Sequence, residues 1–402
     1  MIKYYFTILM SLAFALSTVG QVSDSSQSRY KNSADNLLSR NVGLLFGGYG
    51  EAHYNQPINN GTFNNGTLDV HRIVMLFGYN FNNRTQFVTE IEFEHVKEVY
   101  VEQAFLQYKV NNFLNLRGGL MLVPMGIINE YHEPVTFNGV ERPLVDKYIA
   151  PTTWRELGVG FTGNVLPLSI KYQAYVVNGF NSFDGQANVS GKNGFRKGRQ
   201  KGGESFMSAL NFAGKVEYYG IRGLNLGVSG YVGKTQSTLY NGISKEDEFA
   251  VATADSSVLH MAMLGMDFRY SYSGFQLRGQ FYYTNIGNSS QYNSFTITED
   301  GKHNDVGRAM IGYYAEIGYN VLRFSKSKKQ LVPFVRYEYL DRHHMVNADT
   351  QRNYAYQVTN MTTGLSLHLT KGTVVKADIQ FLKDGEDEAF SHVFNAGIGV
   401  WF

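Results

Sequence analysis

The side chains best placed to do chemistry on this chain are charges set at every second residue of otherwise apolar runs. Glu90, Glu92 and Glu94 alternate with Thr89, Ile91 and Phe93. Asp267 and Arg269 alternate with Met266, Phe268 and Tyr270, and Lys376 and Asp378 with Val375, Ala377 and Ile379. Arg308 and Glu316 oppose Ile311, Tyr313, Ala315 and Ile317. The same parity adds Arg72, Arg117, Lys171, Lys215, Arg278, Arg336 and Glu338 to the charged face, with Glu51 and Glu217 beside them. Charges lining one face of a conduit select passing ions by sign. A dry core does not hold so many, because an unpaired buried charge costs several kcal/mol. The charged face is therefore expected to be wet. Acids and bases are close to balance, and the expectation is that they occupy different walls and produce a transverse field.

A second group lies in the segment 127–152, which carries Glu130, His132, Glu133, Glu141, Arg142, Asp146 and Lys147 among Pro134, Pro143 and Pro151. Long connections in compact folds usually serve function. This one is expected to fold inward as a constriction; an external lid or a subunit-packing loop is the alternative. A third group, Lys192, Arg196, Lys197, Arg199 and Lys201, lies among glycines in 180–205. It would steer anions or bind anionic lipopolysaccharide, or simply be solvated. His343 and His344 with Asp341 and Asp349 make a weak metal or hydrolase pattern. There is no recognisable Ser-His-acid signature and no phosphate-binding loop motif. The reading implies no cofactor, no metal and no nucleic-acid partner.

The elements that must position these residues are strands of period two. In the last, Phe390, Phe394, Ala396, Ile398, Val400 and Phe402 share one face, and Ser391, Asn395, Gly397 and Gly399 the other. Sixteen such runs are expected, at 44–55, 68–81, 84–95, 99–110, 113–126, 153–164, 168–179, 206–218, 224–235, 257–271, 275–287, 306–320, 331–342, 355–370, 373–383 and 389–402. Their connections are alternately short and long, apart from a brief link at 96–98. An even strand number with that alternation predicts an all-β fold, a transmembrane antiparallel β-barrel with short periplasmic turns and long extracellular loops. Tyr79, Phe81, Tyr108, Tyr218, Tyr219, Tyr270, Tyr272 and Tyr319 beside the short turns would form its interfacial girdle.

Composition agrees. Among 402 residues are 42 Gly, 28 Tyr and 28 Phe, with no cysteine and a net charge of +2. Disulfides and thiolate metal sites are therefore excluded, and a strong bias toward nucleic acid is absent. Mean hydropathy is −0.25, and past the N-terminus no run approaches the roughly 20 apolar residues of a membrane helix. Lys3 followed by the apolar stretch Ile8 to Val19 reads as a secretory signal over 1–20. Residues 21–42, rich in Ser, Asn and Gln, are expected to be a flexible periplasmic lead before a barrel at 43–402.

The runs Glu102-Gln103-Ala104-Phe105-Leu106-Gln107-Tyr108, Leu116-Arg117-Gly118-Gly119-Leu120, Val123-Pro124-Met125-Gly126, Asn129-Glu130-Tyr131-His132, Arg142-Pro143-Leu144-Val145 and Thr152-Thr153-Trp154-Arg155-Glu156-Leu157-Gly158-Val159-Gly160 resemble the phosphate-selective porin O/P-like family. The resemblance is densest over 99–163. It implies a sixteen-stranded, usually trimeric diffusion porin in the outer membrane of a Gram-negative bacterium. The family's selective members line the pore with Arg and Lys; here inward acids match inward bases, so a general or differently selective porin is an equal expectation. The expected function is passive diffusion of small hydrophilic solutes or ions, anions such as phosphate among them, with the bilayer and lipopolysaccharide as surroundings. The rival readings are an accessory barrel of an envelope complex and an outer-membrane hydrolase.

Overall fold

A computed structural model describes residues 32–38, 43–58, 62–298 and 301–402. The expected signal segment and most of the lead lie outside the described residues. Sixteen strands close a barrel in which each pairs antiparallel with its neighbours. They are β1 (Leu44–Ile58), β2 (Thr67–Asn80), β3 (Thr85–Glu94), β4 (Glu98–Lys109), β5 (Asn115–Leu122), β6 (Arg155–Val165), β7 (Ile170–Val177), β9 (Asn211–Tyr218), β10 (Leu224–Lys234), β12 (His260–Tyr272), β13 (Phe275–Gly287), β14 (Ala309–Tyr319), β15 (Gln330–Met345), β16 (Gln357–Thr370), β17 (Thr373–Asp384) and β18 (Ser391–Trp401). The short strands β8 (Asn181–Phe183) and β11 (Gln236–Ser237) pair parallel in the long connections. No helix among the described residues is long and apolar enough to cross a membrane.

The period-two pattern works here because alternate side chains leave opposite faces of the sheet. Val228, Leu264, Met266, Phe268, Ile317, Val335, Leu365 and Val400 are exposed on the outside. Their neighbours Asp267, Arg269, Glu316, Arg336 and Asn395 are buried inside. The barrel closes where β1 meets β18, in register from Tyr49 opposite Trp401 to Ile58 opposite His392. The terminal Phe402 N–H donates to Gly48 O (2.9 Å), and the Gly48 N–H to Phe402 O (3.0 Å). Near the short turns, aromatic pairs such as Tyr79–Phe81 (5.0 Å between ring centroids) and Phe275–Tyr319 (4.7 Å) form part of a rim.

Two departures from the sequence expectation change the inside of the barrel. The strand expected at 113–126 ends at Leu122. There the chain turns inward, and residues 123–154 run through the lumen before β6. Gly126 makes that turn with φ +64°, and a Cβ at this position would lie 1.9 Å from the Tyr282 hydroxyl; only glycine accepts both demands. Asn129 ties the two stems: its Nδ2 donates to Val123 O (2.7 Å) and Trp154 O (2.9 Å), and its Oδ1 accepts from the Trp154 N–H (2.7 Å). Val123, Met125, Val145, Ile149 and Trp154 then pack against the inward Tyr175, Tyr231, Met261, Met263, Tyr282 and Leu340.

The second departure is in the expected flexible lead. Within it, Ser33–Leu38 is a helix. It lies inside the barrel, with Ser33 N–H and Oγ donating to Glu133 Oε1 (2.6 and 2.7 Å) and Asp35 meeting Lys171 (3.0 Å). The inward face is thus wet only in part. Charge parity overlooked the Tyr and Met residues that share it and offer an inward segment an apolar seat.

Asn129→Ala strands buried backbone groups at both stems, each worth about 1–3 kcal/mol. Hydrogen exchange should rise sharply over 123–154 in the variant while amides of β12 to β16 stay protected; uniform loss of protection would contradict the staple.

Candidate functional site: a charged lumen crossed by residues 123–154

Residues 123–154 reach nearly every wall of the barrel, and charge does much of the holding. On one side Arg72 donates through Nε to Glu51 Oε1 (2.6 Å) and through Nη2 to His132 O (2.5 Å). On the opposite side Arg278 donates to Thr136 O (2.8 Å) and Arg336 to Glu141 O (3.0 Å). Carboxylates of the wall take the segment's own donors: Asn138 Nδ2 to Glu316 (3.0 Å), Val140 N–H to Asp378 (2.7 Å) and Leu144 N–H to Glu338 (2.6 Å). Gln280 bridges, accepting from the Ile127 N–H (2.6 Å) and donating to Asp146 Oδ1 (2.7 Å). Lys215 donates to Gly126 O and lies 3.3 Å from Glu130.

The wall charges also pair with one another. Lys215 stands 3.3 Å from Asp267 and 3.6 Å from Glu217, and Arg269 is 2.8 Å from Glu217. Arg278 meets Glu316 at 3.1 Å, and Arg336 meets Glu338 at 2.7 Å and Glu316 at 3.6 Å. Arg117 bonds Gln107 (2.7 Å) and sits over the Phe105 ring; Lys171 pairs with Asp35. Lys376 lies 3.8 Å over the Phe137 ring. In this part of the lumen, acids and bases alternate between neighbouring strands, so the expected separation into two walls does not hold there.

Separation is partial in the vestibule on the side of the long connections. Glu51, Glu92 and Glu94 come from β1 and β3, with Arg72 of β2 paired to Glu51 between them, while Arg155, Arg196, Arg199 and Lys201 come from the start of β6 and the 178–210 connection. Arg142 and Glu141 of the inward segment stand between them. Arg199 donates to Thr152 O (2.6 Å), and burial beside Arg196 and Arg155 lowers its guanidinium to about 9. The vestibule encloses about 190 Å³; a second cavity of about 480 Å³, lined by Tyr131, Phe137, Arg269, Arg278 and Lys328, lies on the short-turn side of the segment.

Of the residues singled out from sequence, Arg308 stands apart. It precedes β14 and is exposed, a correction to a parity that was carried past a strand end. Lys147 is exposed over the Tyr148 ring and lines the vestibule beside Asp146. Two groups escaped sequence reasoning. A bulge in β4, where Glu90 faces Gln103 and Ile91 faces Val101, turns Glu102 inward with Gln103. Glu102 joins Glu90 and His132 around the Tyr49 hydroxyl, at 3.1, 2.7 and 2.8 Å. The histidines His53 and His71, on β1 and β2, stack at 4.8 Å in the vestibule. Nothing in their spacing reveals the pairing of distant strands that brings them together.

His343 does not make a hydrolytic site. Its Nε2–H donates to Asp305 O (2.5 Å), its Nδ1 accepts from the Asn353 N–H (3.0 Å), and its neighbour Asp341 pairs with Arg352 (2.7 Å). Asp349 is bound by Ser290.

No family model matches the chain. An uncharacterized protein of Aquifex aeolicus (strain VF5) is 30% identical over 372 residues, which span 90% of this chain and 80% of that one. The chain belongs to the family of that protein. Among solved structures, the anion-selective porin from Comamonas acidovorans is similar over 89% of this chain and 99% of its own, with a TM-score of 0.56 and 11% identity. OmpT of Vibrio cholerae in its trimer form is similar over 90% and 100%, with a TM-score of 0.52 and 10% identity. The fold is thus that of the porins, as the sequence led us to expect.

Two tests follow from the lumen's charges. Arg336→Ala leaves Glu338 buried without its cation and Glu316 with Arg278 alone, at a cost of about 3–5 kcal/mol; unfolding in detergent should shift to distinctly lower denaturant, and an unchanged midpoint would dissolve the network. Burial, opposed by the bond from Gln280, pushes Asp146 from its ordinary 3.8 up to about 8. The folded protein therefore holds a proton there that the unfolded chain releases, and stability should fall as pH rises from about 4 to 8 and then level. Asp146→Asn should flatten that part of the stability–pH curve relative to wild type.

Proposed function

We propose that this protein is a porin in the outer membrane of a Gram-negative bacterium, through which small hydrophilic solutes and ions diffuse passively along the rim of residues 123–154. The observation that carries the reading is a closed barrel, apolar outside and charged inside, with an inward segment between two cavities that charged side chains help to line. Diffusion past a charged constriction is what such a cross-section can do. It needs no cofactor. We read the protein as a channel rather than an enzyme, since both ring nitrogens of His343 are already bonded.

The finer reading is a preference for small anions such as phosphate. It is supported by Arg142, Arg155, Arg196, Arg199 and Lys201 at the vestibule, whose field would draw anions in. Glu51, Glu92 and Glu94 oppose it, so the preference would be modest. We assign pore-lining roles to Arg72, Glu90, Glu92, Glu94, Arg117, Lys171 and their ion-pair partners. The homotrimer is proposed from the likeness to a barrel that has a trimer form, and lipopolysaccharide contact from the exposed Lys192 and Lys197 of the 178–210 connection.

One observation favours a second reading, an accessory barrel of an envelope complex: the segment bonds to walls on all sides and leaves the two cavities separate. Planar-bilayer recording separates the two. A porin should show small ohmic steps. Replacing residues 130–150 by a short Gly/Ser link should enlarge them several-fold, and Arg155→Glu with Arg199→Glu should move the reversal potential toward cation selectivity. Silence of the wild-type protein, with steps only after the segment is shortened, would favour the accessory barrel.

A further inference from the structure

At the rim that carries the long connections, three imidazoles and a carboxylate meet across adjacent strands. Asp69 and His71 stand two residues apart on β2 and so share a face. His95 begins the turn after β3, with φ +52°, and its N–H donates to His71 O (3.1 Å). That bond brings its ring over the same face. His95 Nδ1 lies 2.6 Å and His71 Nδ1 3.5 Å from Asp69 Oδ2. One ligand atom from each of the three falls within 4.8 Å of the others. The His71 and His95 rings meet edge to face, with centroids 5.2 Å apart.

We propose that Asp69, His71 and His95 form a binding site for a divalent transition-metal ion of the zinc and copper class. Bonds of about 2.0–2.2 Å in a tetrahedral site separate ligand atoms by about 3.4 Å. The Asp69–His71 distance already has this value. The Asp69–His95 contact is a hydrogen bond that an ion would open by about 1 Å, and His95, with its side chain 46% exposed, has room to move. Two imidazoles with one carboxylate suit zinc, copper or nickel rather than calcium or magnesium, which take oxygen ligands. Three protein ligands leave a position for water or for a donor on a passing solute.

The surroundings are those of a supported site. The His53 ring lies flat on His71, with 11° between planes. Its Nε2 is 3.4 Å from Glu51 and its Nδ1 3.5 Å from Glu141. A ring fixed in this way orients the ligand beneath it, the role outer-shell groups play at metal centres. Access is open from the vestibule, which these histidines line. The other cluster of this kind, Glu90 with Glu102 and His132, is buried, and the Tyr49 hydroxyl already bonds all three. An ion there must first displace the phenol, so that cluster serves as the internal control. The inference stands on ring geometry and does not depend on conduction.

The test is titration of the untagged, detergent-solubilised full-length protein with zinc by calorimetry, with calcium and magnesium as competitors. The expected result is one zinc per chain, unaffected by millimolar magnesium. His71→Ala and His95→Ala should each weaken it at least about tenfold, and Glu102→Gln should leave it unchanged. Copper bound in place of zinc should give an electron paramagnetic resonance spectrum with nitrogen hyperfine coupling, lost in the same variants. Asp69→Asn, which removes charge but little volume, covers the case of a histidine variant that fails to fold. No saturable zinc binding, or binding that survives in the His71→Ala His95→Ala protein, would overturn the proposal. Zinc binding by a protein that conducts nothing would refute the channel and leave the metal site standing.

Discussion

In hydrocarbon every backbone N–H and C=O must find a partner within the protein, and a sheet meets that demand only by returning to its first strand. The seam between β1 and β18 is where the requirement is met, ending on the reciprocal bonds between Gly48 and Phe402. Once the ring is closed, the parity of each strand is no longer a preference. One face meets lipid and the other meets the interior. The charges that define the inner face, and the segment that crosses it, are consequences of that closure.

Closure also creates a problem that residues 123–154 solve. A lumen walled by sixteen strands holds both Arg and Glu side chains and the aromatic rings of Tyr175, Tyr231, Tyr282 and Tyr314. The inward segment presents Trp154, Ile149 and Met125 to the rings, and its carbonyls and N–H groups to the charges. Arg72, Arg278, Arg336 and Lys215 each spend a donor on a segment carbonyl, and Glu316, Glu338 and Asp378 each accept from it. The segment is therefore held by complementarity on most of its perimeter rather than by a single latch. Asn129 closes its neck, so that the two stems enter as one body.

The barrel was legible in the sequence because lipid enforces period two over whole strands. The expected runs at 275–287 and 373–383 lie within a residue of β13 and β17. The inward course of residues 127–152 was readable as an option from proline and charge, and Gly126 with Asn129 made it specific only once the wall was in place. What stayed illegible depends on pairing between distant strands. The bulge that turns Glu102 inward needs the β3–β4 register. The stack of His53 on His71 needs β1 beside β2. The Ser33–Leu38 helix looked like linker because Ser and Asn suit a cap as well as a flexible lead; Asn32 in fact accepts the Asp35 N–H at 2.8 Å. Arg308 fails for the opposite reason, since parity was extended beyond the strand that justified it.

The claim on which most rests is that residues 123–154 lie across the barrel interior, with their tip against the far wall. Asn138 lies 3.2 Å from Gln276 on β13, and the chain has no cysteine of its own. Oxidative cross-linking of an Asn138→Cys Gln276→Cys protein in the membrane tests it most directly. A fast, nearly complete intrachain disulfide is the result expected. Failure to cross-link, with free reaction of the residue-138 thiol with a bulky impermeant maleimide, would place the segment outside the barrel and contradict this description of the lumen.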